Sequence, residues 1–118
     1  MSYDIDLLDP VTREVIQLDY PHQMCGGTYA LGGTREATLN ITYNYAEVFR
    51  RVFGENGVRS IYGKTGAETM GIFSRAMLEL GDDVDDDYWK PTEGNVKRAI
   101  AALMALASLR PDGIWDGD

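Results

Sequence analysis

The sequence predicts an α+β fold in which a small antiparallel sheet, made of an N-terminal β-hairpin and one or two further strands, packs against three helices. Three observations predict this class: strand-like alternation is confined to the first 45 residues, helical spacing of apolar residues follows it, and no repeat or linker divides the chain. With 118 residues, of which 44% are hydrophobic, the chain is expected to form one compact domain over residues 1–118.

Polar and apolar side chains alternate in two stretches near the N-terminus. These stretches, Tyr3–Leu8 and Val15–Tyr20, flank Asp9–Glu14, where Asp before Pro favours a turn. They predict the hairpin. Glycine pairs within residues 26–34 mark turns or close backbone approaches. A third alternation over Ala37–Tyr43 predicts a half-buried strand, whose polar face is either solvated or turned to a ligand.

The first predicted helix follows this strand. Asn44 stands at an N-cap position with Glu47 three residues later, which is the spacing of a capping box. Apolar residues then recur at helical spacing, and Gly54 provides the left-handed residue that commonly ends a helix. The next segment, Val58–Tyr62, is short and apolar, so it is either a loop or a short strand.

Two further helices are predicted in the C-terminal half. Thr65 and Glu68 form a second capping box, which begins a helix that ends at Gly81. Thr92 precedes a third helix over Glu93–Leu109, whose alanine-rich interior has high helix propensity.

Charge and composition exclude several functional classes. With 11 Lys and Arg against 19 Asp and Glu, the formal net charge is -8, so neither nucleic acid nor an anionic membrane is an expected partner. No apolar run is long enough to span a membrane and no secretory signal is recognisable, so we expect a cytoplasmic location. The single cysteine, Cys25, allows no intrachain disulfide. The five aspartates of residues 82–87 predict a solvated linker, and Trp115 is expected to anchor the tail.

Motif-like patterns fail on spacing or on ligand number. The Gly63-Lys64-Thr65 segment lacks the earlier glycine of a P-loop, because Val58 stands at that position. The alternating aspartates of residues 82–87 lack the glycine and glutamate of a calcium loop. His22 and Cys25, the only histidine and cysteine, are too few for structural zinc, and only their spacing supports a thiol–imidazole pair. We therefore expect no catalytic residue, cofactor or metal.

Positive charge is concentrated in one segment of this acidic chain. Residues 50–64 have a local charge of +3, whereas residues 81–87 contribute -5. An aromatic ring beside an arginine is suited to a base or a phosphorylated ligand. The predicted ligand-binding residues are Tyr43, Arg50, Arg59, Tyr62, Lys64 and Thr65.

Two interpretations of this basic segment stay open. In the first, the arginines, Lys64 and the helix N-terminus at Thr65 surround a pocket for an anionic ligand. In the second, the tyrosines fill the edge of the core and the arginines pair with the aspartate run.

Motifs spread over most of the chain resemble short bacteriophage and prophage proteins of unassigned function. The likeness is carried by LNITYNY (39–45), VFGENG (52–57), SIYGKTGAE (60–68), DDYWK (86–90) and the tail from Arg110. The resemblance implies a phage product acting in the bacterial cytoplasm. By analogy, it implies a counter-defence inhibitor that binds a host immune protein or its nucleotide signal.

We therefore expect a non-enzymatic binding protein whose partner is a host protein or an anionic small molecule. A small phage enzyme and an acidic DNA mimic directed at a basic host protein are the alternatives. Assembly into a homo-oligomer stays open.

Overall fold

The computed structural model describes residues 1–23 and 33–118. They form an α+β fold with a three-stranded antiparallel sheet, a two-stranded sheet and three α-helices, which confirms the predicted fold class. Cys25 and most of the predicted glycine-rich turn segment lie outside the described residues. The strands are β1 (Ser2–Leu8), β2 (Gln17–His22), β3 (Thr34–Glu36), β4 (Thr38–Thr42) and β5 (Ile114–Gly117); the helices are α1 (Ala46–Phe53), α2 (Gly66–Glu79) and α3 (Glu93–Leu109). Two 3-10 helices cover Tyr43–Tyr45 and Gly57–Ile61.

Strand β1 is the centre of the larger sheet. It pairs antiparallel with β4 on one edge and with β5 on the other. The two strands of the predicted hairpin are joined by a closed turn, but their pairing is limited to a bridge between Leu8 and Val15. Beyond that bridge β2 pairs with β3, because both edges of β1 are already occupied. Both predicted strands are therefore present, the second shifted to Gln17–His22, whereas their main pairing partners are more distant in sequence.

Asp9 organises the turn that joins β1 and β2, as the Asp-Pro pair predicts. Its carboxylate accepts hydrogen bonds from the backbone N–H groups of Val11 at 2.8 Å and Thr12 at 3.0 Å. These bonds lower the pKa of Asp9. The turn places Arg13 at φ 63°, a left-handed conformation in which glycine is the more usual residue.

The core lies between the larger sheet and the helices, and aromatic side chains fill much of it. Fully buried members include Tyr45, Phe49, Phe73, Ile100, Leu103 and Trp115. Helices α2 and α3 approach closely at Gly66, where an added Cβ would lie 3.0 Å from the Arg110 carbonyl oxygen and 3.2 Å from the Ala107 Cα. None of the described helices is long and apolar enough to cross a membrane.

The entry into α1 differs from the prediction. The capping box expected at Asn44 and Glu47 is wrong, because the chain first makes a 3-10 turn and α1 begins at Ala46 without a side-chain cap. Thr42 caps that turn by accepting a hydrogen bond from the Asn44 N–H, while the Asn44 side chain donates to the Trp89 carbonyl oxygen at 2.9 Å. The Asn44 side chain is therefore used in a long-range contact, which a local motif does not reveal.

The segment after α1 also differs from the alternatives considered. Gly54 ends α1 with a φ of 102°, as predicted for a residue that needs a positive φ. The following apolar segment forms the second 3-10 helix, rather than a loop or a strand. Val58 and Ile61 lie three residues apart in it, and both are fully buried. This short helix is therefore held by its apolar face.

The aspartate run is tied to the start of α3, although most of its residues are exposed. Asn95, which is buried in α3, accepts a hydrogen bond from the Asp85 N–H and donates to the carbonyl oxygens of Asp87 and Lys90. Asp82 pairs with Lys97 at 2.8 Å. The run is thus a braced loop, whereas the sequence predicted a solvated linker.

Like charges face each other on the outer side of the larger sheet. Asp6 of β1 stands opposite Asp116 of β5. Burial is the main cause that raises the pKa of Asp6 above 3.8, and Asp4, Asp116 and Glu36 add to it, while a hydrogen bond with Thr38 opposes it. The charged form of Asp6 therefore opposes folding.

Replacing Asp6 with asparagine is expected to raise the melting temperature at pH 7. A raised pKa means that the native state binds the proton more readily, so the unfavourable charge disappears as the pH falls through that pKa. The difference in melting temperature between Asp6→Asn and the wild type should therefore decrease as the pH is lowered to about 3. Thermal unfolding at both pH values checks this. Asp19→Asn, at an exposed position of β2, is the control; an equal gain from both changes would contradict the local explanation.

Candidate functional site

A pocket of about 370 Å³ opens where α1 and the second 3-10 helix meet β1. Its lining includes Tyr3, Arg50, Glu55, Asn56, Gly57 and Arg59. We refer to it as the Arg50–Arg59 pocket. Its volume lies at the small end of the range that is typical of small-molecule sites.

Local backbone structure brings the two arginines together. Arg50 lies in the last turn of α1. The chain then reverses through Gly54 and Gly57, whose φ angles are 102° and 59°. Because Val58 and Ile61 anchor the following 3-10 helix in the core, Arg59 is exposed on the side that adjoins the pocket.

Tyrosine rings and the C-terminal segment fix the orientation of Arg59. Its Cζ atom lies 4.9 Å from the centroid of the Tyr3 ring and 5.6 Å from that of Tyr43. Its Nε donates to the Asp118 carbonyl oxygen at 2.7 Å, and one terminal nitrogen donates to the Tyr43 hydroxyl at 3.4 Å. A guanidinium group has five N–H donors, so further donors are available to a ligand.

Arg50 supplies the second cation. Among the described residues its guanidinium group has no hydrogen-bond or ion-pair partner. Burial raises the pKa of the Tyr3 phenol, while Arg59 and, to a smaller extent, Arg50 oppose that rise. The charges of both arginines therefore lower the pKa of the same phenol, that of Tyr3. Together the two guanidinium groups can donate charge-assisted hydrogen bonds to an oxyanion.

Of the six predicted ligand-binding residues, only Arg50 and Arg59 line the pocket. Tyr43 contacts Arg59 but is not part of the lining, and neither are Tyr62, Lys64 and Thr65.

Tyr62 and Lys64 are used in different ways. The Tyr62 hydroxyl is buried and has no hydrogen-bond partner among the described residues. Burial is the main cause that raises its pKa far above the usual value. Lys64 is exposed, and its carbonyl oxygen accepts a hydrogen bond from the Trp115 N–H at 2.9 Å. Its backbone thus extends the pairing of β5.

Thr65 forms the predicted capping box at the start of α2. Its hydroxyl accepts a hydrogen bond from the Glu68 N–H at 3.1 Å, and the Glu68 carboxylate accepts one from the Thr65 N–H at 2.9 Å. The N–H groups of Gly66 and Ala67 donate to the carbonyl oxygens of Gly113 and Pro111. The backbone N–H groups at the start of α2, which were predicted to bind an anion, therefore already donate hydrogen bonds within the protein.

The change Thr65→Ala is expected to lower the free energy of unfolding by about 1 kcal/mol, because one helix-capping hydrogen bond is lost. Urea unfolding measures this loss. Ligand binding at the Arg50–Arg59 pocket should be unchanged, and a large loss of binding by a stable Thr65→Ala protein would show that the helix N-terminus takes part after all.

Within the part of the chain that the structure describes, the arginines of the basic segment do not pair with the aspartate run, so this half of the second interpretation is wrong. Its other half is confirmed, because Tyr43 and Tyr62 pack against the core. The run instead pairs with lysines: Asp85 with Lys90 at 3.5 Å and Asp82 with Lys97 at 2.8 Å. Arg51 pairs with Glu93 at the start of α3.

The tyrosines orient the arginine and are poorly placed to stack on a ligand. Tyr3 is only 4% exposed, and its ring packs edge to face against Tyr43 and Phe49 at centroid distances of 4.6 and 6.0 Å. Arg59 covers both tyrosine rings. The tyrosines predicted to face a ligand are Tyr43 and Tyr62: the Tyr43 ring already packs against Tyr3 and Arg59, and Tyr62 is not part of the pocket lining.

Five lining residues of the pocket were not among the predicted site residues: Tyr3, Ala46, Glu55, Asn56 and Gly57. Tyr3 belongs to a predicted strand far from the basic segment. Residues 55–57 could have been found, since they lie between the two arginines in the sequence.

Comparisons with family models, curated proteins and solved structures found no match to this chain. Within residues 1–23 and 33–118, no group of three or more His, Cys, Asp and Glu residues is placed to hold a metal ion. His22 is buried and contacts the Glu36 carbonyl oxygen at 2.7 Å through Nε2. The geometry of the Arg50–Arg59 pocket is therefore the observation that bears on function.

Proposed function

We propose that the chain is a non-enzymatic binding protein that takes up an anionic small molecule in the Arg50–Arg59 pocket. The observation that carries the proposal is the juxtaposition of two guanidinium groups: Arg59 is held in place by Tyr3 and Tyr43, and Arg50 has no partner among the described residues. Because Arg59 is already oriented, it can bind an oxyanion with little loss of side-chain entropy, and Arg50 supplies donors that are not otherwise used. The charged groups of the pocket are two arginines and one glutamate, and the arginines, which stay protonated, are suited to holding an anion.

The resemblance to phage and prophage proteins supports a biological setting for this proposal. In that setting the protein acts in the bacterial cytoplasm as a counter-defence inhibitor, and its ligand is a nucleotide-like signal of the host defence. Sequestration needs only stoichiometric binding, which a single small pocket can provide.

The aspartate run gives weaker support to the alternative of a DNA mimic. A mimic presents carboxylates to a basic partner, but Asp82 and Asp85 already pair with Lys97 and Lys90. Asp83 accepts a hydrogen bond from the Gly94 N–H at 3.3 Å. The carboxylates of Asp82 and Asp83 therefore hold the loop to α3, and that of Asp85 pairs with Lys90 just before it.

Calorimetric titration with nucleoside monophosphates at physiological salt tests the proposed function. Loss of one charge-assisted contact costs about 1.5–3 kcal/mol, so Arg50→Ala and Arg59→Ala are each expected to weaken binding roughly ten- to a hundredfold. Lys64→Ala should bind as the wild type does, since Lys64 is not part of the pocket lining.

Arg75→Ala is the matched control, because Arg75 is exposed on α2 and the change also removes one positive charge. It should leave the affinity unchanged. If Arg50→Ala and Arg59→Ala keep their melting temperature and bind as tightly as Arg75→Ala, the pocket is not the binding site.

A further inference from the structure

The Arg50–Arg59 pocket also contains a carboxylate. Glu55 lies in the turn between α1 and the second 3-10 helix, is exposed, and lines the pocket beside Asn56. Among the described residues it forms no ion pair with Arg50 or Arg59. The pocket therefore presents two cations and one anion that do not neutralise each other through direct contact.

This charge arrangement disfavours a ligand that carries several anionic groups. Glu55 repels negative charge and, as a carboxylate, offers only hydrogen-bond acceptors. The protein as a whole carries a charge of -8, so more distant charges add to this repulsion. A ligand satisfies the pocket best when it places one anionic group at the arginines and N–H donors at Glu55.

We propose that the pocket selects a small ligand with one anionic group and, on the same molecule, two adjacent N–H donors, as in a guanine nucleotide with one phosphate. This inference rests on the proposed function, because it assigns the ligand class of that site. Guanine presents N1–H and N2–H side by side, and both can donate to the two oxygens of one carboxylate. Adenine presents one donor and one acceptor on the same edge, so its N1 lone pair would face a carboxylate oxygen.

In this arrangement Glu55 determines the specificity for the base, whereas the arginines provide the affinity for the phosphate. A glutamine at this position has one donor and one acceptor, which match the edge of adenine. Glu55→Gln is therefore expected to reverse or abolish the preference between the two purines and, by removing a negative charge, to raise the affinity for inorganic phosphate.

Calorimetry with GMP, AMP and inorganic phosphate tests this assignment. The wild type is expected to bind GMP at least about tenfold more tightly than AMP, and Glu55→Gln is expected to lose that preference. Glu47→Gln is the control, because Glu47 is exposed on α1 and is not part of the pocket lining. It should keep the wild-type preference. Retained or increased phosphate affinity shows that the Glu55→Gln protein is folded.

The outcomes separate the inference from the proposed function. If GMP and AMP bind equally to the wild type and both depend on Arg50, the inference is overturned and the proposed function stands. A preference for GMP that survives Glu55→Gln also overturns the inference. If none of the three compounds binds, both the inference and the proposed function fail.

Discussion

Phe49→Ala is expected to lower the free energy of unfolding by about 3–5 kcal/mol, because it leaves a cavity in the core. Phe49 is fully buried on α1, and its ring contacts those of Tyr3, Tyr45 and Phe53 at centroid distances of 6.0, 6.1 and 5.7 Å. These rings are held by their neighbours, so they cannot readily move into the vacated space. Urea unfolding monitored by circular dichroism gives the free-energy change.

Phe49→Ala should also weaken ligand binding at the pocket, because the Phe49 ring packs against Tyr3 and the Tyr3 ring packs against Arg59. Phe73→Ala should cost a similar amount of stability, because Phe73 is equally buried. Leu78→Ala is the control: Leu78 is 88% exposed on α2 and its loss should change stability little. If Phe49→Ala unfolds at the same urea concentration as the control, the assigned core face of α1 is wrong.

Trp115→Ala is expected to have an effect of the same size, about 3–5 kcal/mol. Trp115 is 1% exposed, packs edge to face on Phe73 at 6.0 Å, and donates a hydrogen bond from Nε1 to the Thr69 hydroxyl at 2.8 Å. It thereby joins β5 to α2. Trp115→Phe should lower the free energy of unfolding by less than Trp115→Ala, because it keeps an aromatic ring in the core. Its remaining cost comes from the smaller ring and the lost hydrogen bond to Thr69.

The second tryptophan provides the matched control for this prediction. Trp89 is 53% exposed, so Trp89→Ala should cost clearly less than Trp115→Ala. Thermal and urea unfolding of both variants give the comparison. Equal stability losses, or a Trp115→Ala protein as stable as the wild type, would contradict the view that the C-terminal strand closes the core.

Local patterns predicted the helices well, because capping and helical periodicity depend on neighbours within a few residues. The predicted third helix has the observed bounds Glu93–Leu109, and the capping box at Thr65 forms as expected. The capping box at Asn44 failed because the Asn44 side chain bonds Trp89, which lies 45 positions later.

Strand pairing could not be predicted from the sequence, for a related reason. The tail was expected to be anchored by Trp115, and that anchor is confirmed. Its pairing as β5 with β1 joins the two ends of the described chain, a contact that no local pattern specifies. The same limit explains why the strands of the predicted hairpin have their main ladders with other partners.

The candidate site was predicted in part, for a geometric reason. Sequence proximity placed Arg50, Arg59 and Lys64 in one group, but the second 3-10 helix and the following turn place Lys64 outside the pocket lining. Glu55 lowers the net positive charge of residues 50–64 in the sequence, and in the fold it lines the pocket. Charge balance along a segment therefore located the region, whereas the roles of single residues depend on which face of a short helix they occupy.

An NMR titration of isotopically labelled protein with GMP tests most directly whether the Arg50–Arg59 pocket binds an anion. We expect saturable shifts that are centred on the backbone signals of Gly57 and Arg59 and on the Arg50 side-chain signal. In Arg59→Ala the same shifts should need roughly ten- to a hundredfold more GMP to saturate. Shifts centred on residues 64–68 at the start of α2, or pocket shifts that saturate at the same GMP concentration in Arg59→Ala as in the wild type, would contradict this expectation.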